Sequence, residues 1–186
     1  MVKKQLFGAA LIAVMLSLLL VFPFLGTFFS GNSKGTAFGE NTISPFFLEK
    51  EHSHIVFVYF GYVGCTKICT PSLEEIAKEY PAFKKIEPNV KVYFVNLNPA
   101  QPHDSPDMFA KAFHREFEGV YATQQQIDAL AQAYNLAITG QDAEMGHTSS
   151  LFMFVKKPSG YVLKNIYSTH PYPTKQIIID MQKVQQ

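Results

Sequence analysis

Two patterns meet between residues 55 and 71, and together they restrict the fold more than any other stretch of the chain. Ile55, Val56, Phe57, Val58, Tyr59 and Phe60 form an unbroken apolar, β-branched and aromatic run. That is the pattern of a strand buried on both faces. Beyond Gly61 and Gly64 come the only two cysteines, Cys65 and Cys69, followed by Thr70 and Pro71. Thr70 reads as the cap of a helix with Pro71 in its first position. A strand end meeting a helix N-terminus is where a thiol gains acidity, because unpaired backbone N–H groups and the helix dipole stabilise the thiolate. The thiolate is both a nucleophile and a soft-metal ligand, so the pair narrows the chemistry to redox or metal binding. Inert core cysteines are the bland alternative, but Gly61, Gly64 and Thr66 mark the segment as an exposed loop. Lys67, between the thiols, is expected to favour the thiolate form.

The elements that follow give this junction its context. Leu73, Ile76, Ala77 and Tyr80 fall on one helical face, and residues 90–95 read as a second buried strand. Ser105 and Pro106 open a helix carrying Met108, Phe109, Ala112 and Phe113. Thr123 and Gln126 form a capping box for another, with Ile127, Leu130, Ala131 and Tyr134 inward. Apolar runs at 151–155 and 161–166 flank Lys156, Lys157, Pro158, Ser159 and Gly160, a hairpin signal. A last helix starts near Thr174, with Ile177, Met181 and Val184 inward. The order β-α-β-α-α-β-β-α implies a parallel portion closed by an antiparallel edge. With a cysteine pair after the first strand, this is an α/β, thioredoxin-like layout with a central mixed sheet.

Ahead of that domain, Lys3 and Lys4 precede an uncharged apolar run over residues 6–29. A bilayer needs about 20 helical residues, so the run is long enough to span. The apolar stretch of a cleaved secretory signal is shorter, about 7–15 residues, and no small-x-small cleavage site follows here. Residues 1–30 are therefore expected to form an N-terminal transmembrane helix, 31–50 a small, polar linker, and 51–186 the folded domain. No cysteine lies near the end of the run, which excludes a lipoprotein anchor. Under the positive-inside rule the N-terminus stays cytoplasmic. In a bacterium that places an inner-membrane protein with its soluble domain in the periplasm, where disulfides can form. A formal charge of +1 and the lack of a basic stripe give no case for nucleic acid. Seventeen Phe and nine Tyr supply a core that needs no disulfide staple.

Cysteines at i and i+4 of a helical turn have Cβ atoms about 5–6 Å apart. Modest adjustment lets them form a disulfide or grip one metal ion. Redox thioredoxins use Cys-x-x-Cys. Here Thr66, Lys67 and Ile68 intervene, a wider bite that suits a metal without forbidding a disulfide. Of the six histidines, His52 and His54 lie in a polar approach to the first strand. His103 and His114 flank a helix, and His170 sits in a loop. His147 directly precedes the strand at 151–154, and in a thioredoxin-like fold that loop passes beside the cysteine site. It is either a ligand or a loop histidine. Two thiolates and an imidazole would make a soft set that selects copper(I) over magnesium or calcium. Zinc prefers a fourth ligand or water.

These residues resemble the SCO/SenC family of copper-binding, thioredoxin-like proteins. The likeness covers residues 53–184. It rests on Phe60, Gly61 and Tyr62 leading into Cys65 and Cys69, on Ala112, Phe113 and His114, and on the Gly146, His147, Thr148, Ser149, Ser150 segment. The apolar N-terminus matches that family's architecture. The resemblance implies that Cys65, Cys69 and His147 bind copper, as Cu(I), Cu(II) or both. It also implies a role in assembling the binuclear copper centre of cytochrome c oxidase, with oxidase subunit II or another copper enzyme as client and a thiol reductant as second partner. Thr66 and Thr70 stand where relatives carry proline, and Lys67 where they carry an acid. Gly146 replaces an acidic residue before the histidine, and Asn98 replaces an Asp. Fewer acidic neighbours mean less charge compensation for a bound cation. The stretch from Gly31 to His54 is short for the family's N-terminal hairpin.

Three functions compete on this reading. The first is a membrane-anchored copper chaperone, more a metal carrier than an enzyme. The second is a thiol-disulfide oxidoreductase that reduces the copper-site cysteines of a partner, with Cys65 and Cys69 catalytic. The third is a redox or copper sensor. The wider cysteine spacing and the histidine favour the first. A peroxidase is a weaker reading still, because the Pro-x-x-x-Thr-x-x-Cys context of a peroxidatic cysteine is absent.

Overall fold

A computed structural model describes residues 44–139, 146, 147 and 149–185. The expected membrane anchor and most of the linker lie outside these residues, and among those described no helix is long and apolar enough to cross a membrane. Strand β1 (Ile55–Gly61) is buried along its whole length, as its unbroken apolar run predicts. It pairs in parallel with β2 (Lys91–Asn96) and antiparallel with β6 (Leu151–Lys157). With β3 (Phe117–Val120) and β7 (Gly160–Tyr167) these make one mixed sheet in the order β3-β2-β1-β6-β7.

Alternation along β1 assigns its side chains to two cores. Ile55, Phe57 and Tyr59 face the helices α1 (Cys69–Ile86), α2 (Ser105–Phe113) and α4 (Thr174–Lys183), whose Leu73, Ile76, Phe83, Ala110, Ile177 and Met181 fill that side. Val56, Val58 and Phe60 face α3 (Gln124–Tyr134) through Ile127, Leu130 and Tyr134. Large side chains of this kind each stabilise the fold by roughly 1.5–3 kcal/mol when fully buried. The expected capping box is present: Thr123 Oγ1 accepts from Gln126 N–H, and Gln126 Oε1 accepts from Thr123 N–H at 2.9 Å.

Several local expectations need correction. Helix α1 begins at Cys69, so Thr70 is not its cap and Pro71 is not its first residue. The Cys65 carbonyl accepts from both Thr70 N–H and Thr70 Oγ1 at 3.1 Å, which winds the turn into a helix one step early. Pro71 still lies in the first turn, where a missing N–H costs nothing. Along α2, Met108 is 68% exposed and Ala112 also faces out; Pro106 and Ala110 are the buried residues. Strand β3 was not legible, being short and half polar. It exists because α2 packs directly on it: a Cβ on Gly119 would lie 2.0 Å from the Pro106 backbone. Residues 44–50 also pack onto the domain, through a 3-10 turn at Phe46–Leu48 that buries Leu48 and sets Phe47 against Tyr93.

Candidate thiol and metal site

The site forms where the ends of β1 and β2 are tied together. Leu97 N–H donates to the Gly61 carbonyl at 2.6 Å, extending the parallel pairing one residue past β2. From there Gly64, at φ +86°, reverses the chain in a conformation that glycine adopts without strain. Cys65 N–H bonds back to the Tyr62 carbonyl at 3.3 Å. The loop is further held by Asn96, the polar residue that closes the apolar β2 run. Its Oδ1 accepts from Val63 N–H at 3.2 Å and its Nδ2 donates to the Asn98 carbonyl at 2.6 Å. Asn96 is fully buried and was missed at the sequence level, although a carboxamide ending a buried strand was the available signal.

Cys65 and Cys69 are brought together as expected, as thiols not joined in a disulfide. Cys69 N–H donates to Cys65 Sγ at 3.5 Å, which sets that sulfur over the first exposed donor of α1. The two environments differ. Cys65 is 6% exposed and lines a cleft of about 450 Å³ with Tyr62, Thr66, Lys67, Asn98 and Gln101. Cys69 is 0% exposed and sits behind it. Room for the Cys69 sulfur exists only because residue 61 is glycine: a Cβ there would stand 2.8 Å from Sγ.

Burial opposes ionisation of both thiols, yet the outcomes diverge. At Cys65 the penalty is outweighed by donors from the Cys69 N–H, the Cys69 thiol, the Ile68 N–H and the Tyr62 hydroxyl, and the pKa falls below the usual thiol value. The lowering thus comes from hydrogen bonds and not, as expected, from Lys67, which is exposed. At Cys69 burial dominates and the pKa is pushed up to about 12. The Tyr62 hydroxyl is itself raised to about 12, by burial and then by its bond to Cys65, and so remains a donor. The arrangement presents one acidic sulfur at a cleft and one protonated sulfur at its back.

A model of the SCO1/SenC family matches residues 44–185. The chain belongs to this family. A SCO2-like protein of Rickettsia felis is 24% identical over 122 residues, covering 61% of this chain and 58% of the relative. The chain thus spans under two thirds of the length of that curated relative. Among solved structures, apo Sco1 from Thermus thermophilus is 26% identical with a TM-score of 0.56, over 71% of this chain and 80% of that one. Arabidopsis thaliana ScoI, solved with copper bound, is 16% identical with a TM-score of 0.60, over 72% and 84%, and shares the fold.

Thr70, where the resemblance leads one to expect proline, has a hydroxyl that donates to the Cys65 carbonyl. Asn98 keeps a turn-forming role, its Oδ1 accepting from Ala100 N–H at 3.0 Å. The backbone of His147 lies in β5 (Gly146–His147), paired with Ile138 of the short strand β4 (Ile138–Thr139). Its side chain is outside what the structure describes. Among the described residues no group of three His, Cys, Asp or Glu is placed to hold a metal. Other histidines have structural surroundings: His103 stacks on Tyr121, and His114 is half-buried against Tyr80 and Phe117. His170 contacts Glu75 and Ser149.

Proposed function

We propose that this SCO1/SenC protein is a membrane-anchored copper carrier that takes up Cu(I) on Cys65 and Cys69, with His147 as third ligand. It would pass the ion to the binuclear centre of cytochrome c oxidase or of another copper enzyme. The observation that carries the reading is the pair itself: two thiols at one helix N-terminus, not joined in a disulfide, the more acidic of them lining a cleft. Two sulfurs suit a soft monovalent ion. The copper-bound relative and the residues shared with the family support copper as cargo. His147 enters from the sequence resemblance. So do the anchor at residues 6–29 and the periplasmic placement of the domain.

Loading proceeds by proton release. Cys65 supplies a thiolate, and Cys69 must lose its proton as the ion arrives, so two sulfur–copper bonds replace up to two S–H bonds. Because Cys69 is held protonated, affinity should rise with pH across the neutral and alkaline range. Delivery is ligand exchange: the client's sulfurs replace these one at a time, with no change in oxidation state.

The test is an anaerobic Cu(I) competition titration of the reduced full chain in detergent. One tightly held ion per chain is expected, lost in Cys65→Ser and Cys69→Ser and weakened by His147→Ala. Binding that survives either serine substitution would end the copper reading.

The unequal thiols favour a second reading, a thiol-disulfide oxidoreductase. Cys65 thiolate would attack a partner disulfide, and Cys69, on deprotonation, would resolve the mixed disulfide and release a partner dithiol. The chain would then hold a 65–69 disulfide, to be reset by an external dithiol. Rapid reduction of a client disulfide by the unmodified chain, with Cys69→Ser stopping at a mixed disulfide through Cys65, and no copper uptake, would favour this activity.

A further inference from the structure

Lys67 carries a charge that the thiol site leaves unused. It stands between the two cysteines and lines the same cleft as Cys65, yet the donors that favour the Cys65 thiolate do not include it. Among the described residues it has no ion-pair partner, whereas Lys84, Lys91, Lys111 and Lys183 each meet a carboxylate.

Nothing else in the cleft offsets that charge. Its lining holds no aspartate or glutamate, and its other wall brings in the carboxamides of Asn98 and Gln101. Asn98 Oδ1 is taken by the Ala100 N–H at 3.0 Å, which leaves its Nδ2 donor without a partner among the described residues. The first turn of α1 carries no acid. In the second turn Glu74 is exposed and outside the lining, and Glu75 accepts from the Tyr172 N–H and faces His170. Asp104, the next acid along the chain after Gln101, is also exposed and outside the lining. An ammonium, amide donors and a helix N-terminus beside one sulfur, with no carboxylate among them, draw in negative groups and turn away positive ones.

We infer that the cleft at Cys65 selects its partner by charge, through Lys67, and accepts a protein segment that carries aspartate or glutamate beside its own cysteine. The inference rests on Cys65 being the sulfur that meets the partner, which the copper-transfer and disulfide-exchange readings above share. In exchange, the Cys65 thiolate forms a new S–S bond to one partner sulfur, and the other partner sulfur leaves as a thiolate. Cys69 then loses its proton, attacks Cys65 Sγ and releases the second partner thiolate, leaving the 65–69 disulfide.

The probes are homodisulfides of end-blocked Asp-Cys-Asp, Ser-Cys-Ser and Lys-Cys-Lys peptides, mixed at neutral pH with the reduced full chain in an uncharged detergent. Loss of the Cys65 thiol is followed by mass spectrometry of quenched samples. The acidic peptide should react about three- to fivefold faster than the neutral one, and the basic peptide slower by a similar factor, the size of one exposed charge pair. Salt at about 0.5 M should flatten the series. Lys67→Glu should reverse it. Any change that Lys67→Glu makes to Cys65 itself is common to the three peptides and cancels in their ratios. Lys164→Glu alters net charge equally at an exposed position on β7, two strands from β1, and should keep the original order. Alkylation of Cys65 by iodoacetate against iodoacetamide reads the same field without any exchange, since each forms an S–C bond and expels iodide. Their rate ratio should fall several-fold in Lys67→Glu.

Rates that ignore peptide charge, or an order that Lys67→Glu leaves unchanged, would overturn the inference while exchange at Cys65 stands. Matching effects of Lys67→Glu and Lys164→Glu would also end it, because net charge and not the cleft would then govern. If no peptide exchanges, the oxidoreductase reading fails, and the iodoacetate ratio decides selection by charge on its own: an unchanged ratio in Lys67→Glu refutes it.

Discussion

At Cys65 and Cys69 one functional group meets two electrostatic environments a helical turn apart. Burial works against both thiolates, but the donors gather on Cys65, among them the Cys69 N–H, the Ile68 N–H and the Tyr62 hydroxyl. Cys69, deeper and itself donating to Cys65, keeps its proton. Iodoacetamide at pH 7 should therefore modify Cys65 and spare Cys69, as peptide mapping by mass spectrometry would reveal. Tyr62→Phe removes one donor, so the pH at which Cys65 becomes reactive should rise and its neutral-pH rate should drop several-fold. Equal alkylation of the two cysteines would contradict the asymmetry. That the pair would be special was legible from its place after a buried strand. Which sulfur would be acidic was not, because the deciding donors include a hydroxyl and N–H groups whose directions depend on the turn actually taken.

At the scale of elements, the site depends on how closely β1, β2 and α1 approach. Gly61 closes β1 directly beneath the cysteine helix, and a Cβ there would meet Cys69 Sγ at 2.8 Å and the Phe94 and Tyr59 rings at 3.0 Å. Gly61→Ala should destabilise the fold by about 1–3 kcal/mol, the range for overpacking a filled core. It should also weaken Cu(I) binding by displacing the Cys69 sulfur. Urea midpoints and a copper titration on the same protein check both effects. An unchanged midpoint would mean that the helix can recede freely. The periodic patterns of α1, α3 and α4 were readable because each buries a continuous face against the sheet. The early start of α1 and the exposure of Met108 were not. Both are set by neighbours, the Cys65 carbonyl in one case and the close contact of α2 with β3 in the other.

Across the whole molecule, Glu51 anchors the entry to the domain. Its carboxylate accepts from the His52 and Ser53 N–H groups, from Ser53 Oγ and from Tyr93 Oη on β2, while its carbonyl accepts from Lys156 Nζ on β6. Partial burial opposes ionisation, but these bonds, led by Tyr93, hold its pKa at about 2 against 4.5. Between those values the unfolded chain binds the proton more readily than the folded one. The stabilisation is thus complete above pH 4.5 and is lost as the pH falls towards 2. Glu51→Gln should lower the urea midpoint at pH 6 and narrow the gap between wild type and variant at pH 2.5. A gap that stays constant over that interval would show that Glu51 does not carry the linkage.

The sequence by itself determined the strand that seats the cysteines, the alternation that splits the core into two faces, the capped helix at Thr123 and the family. Each is written in residues close together along the chain, where local sterics, hydrogen bonding and burial leave few choices. Only the tertiary structure decided that Asn96 braces the cysteine loop, that Cys65 is the acidic sulfur, that Glu51 stitches residues 44–53 to the sheet, and that His170 grips Glu75 and Ser149. Those contacts join residues far apart in sequence. Their energies depend on distance and direction, which exist only once the sheet has brought the segments together.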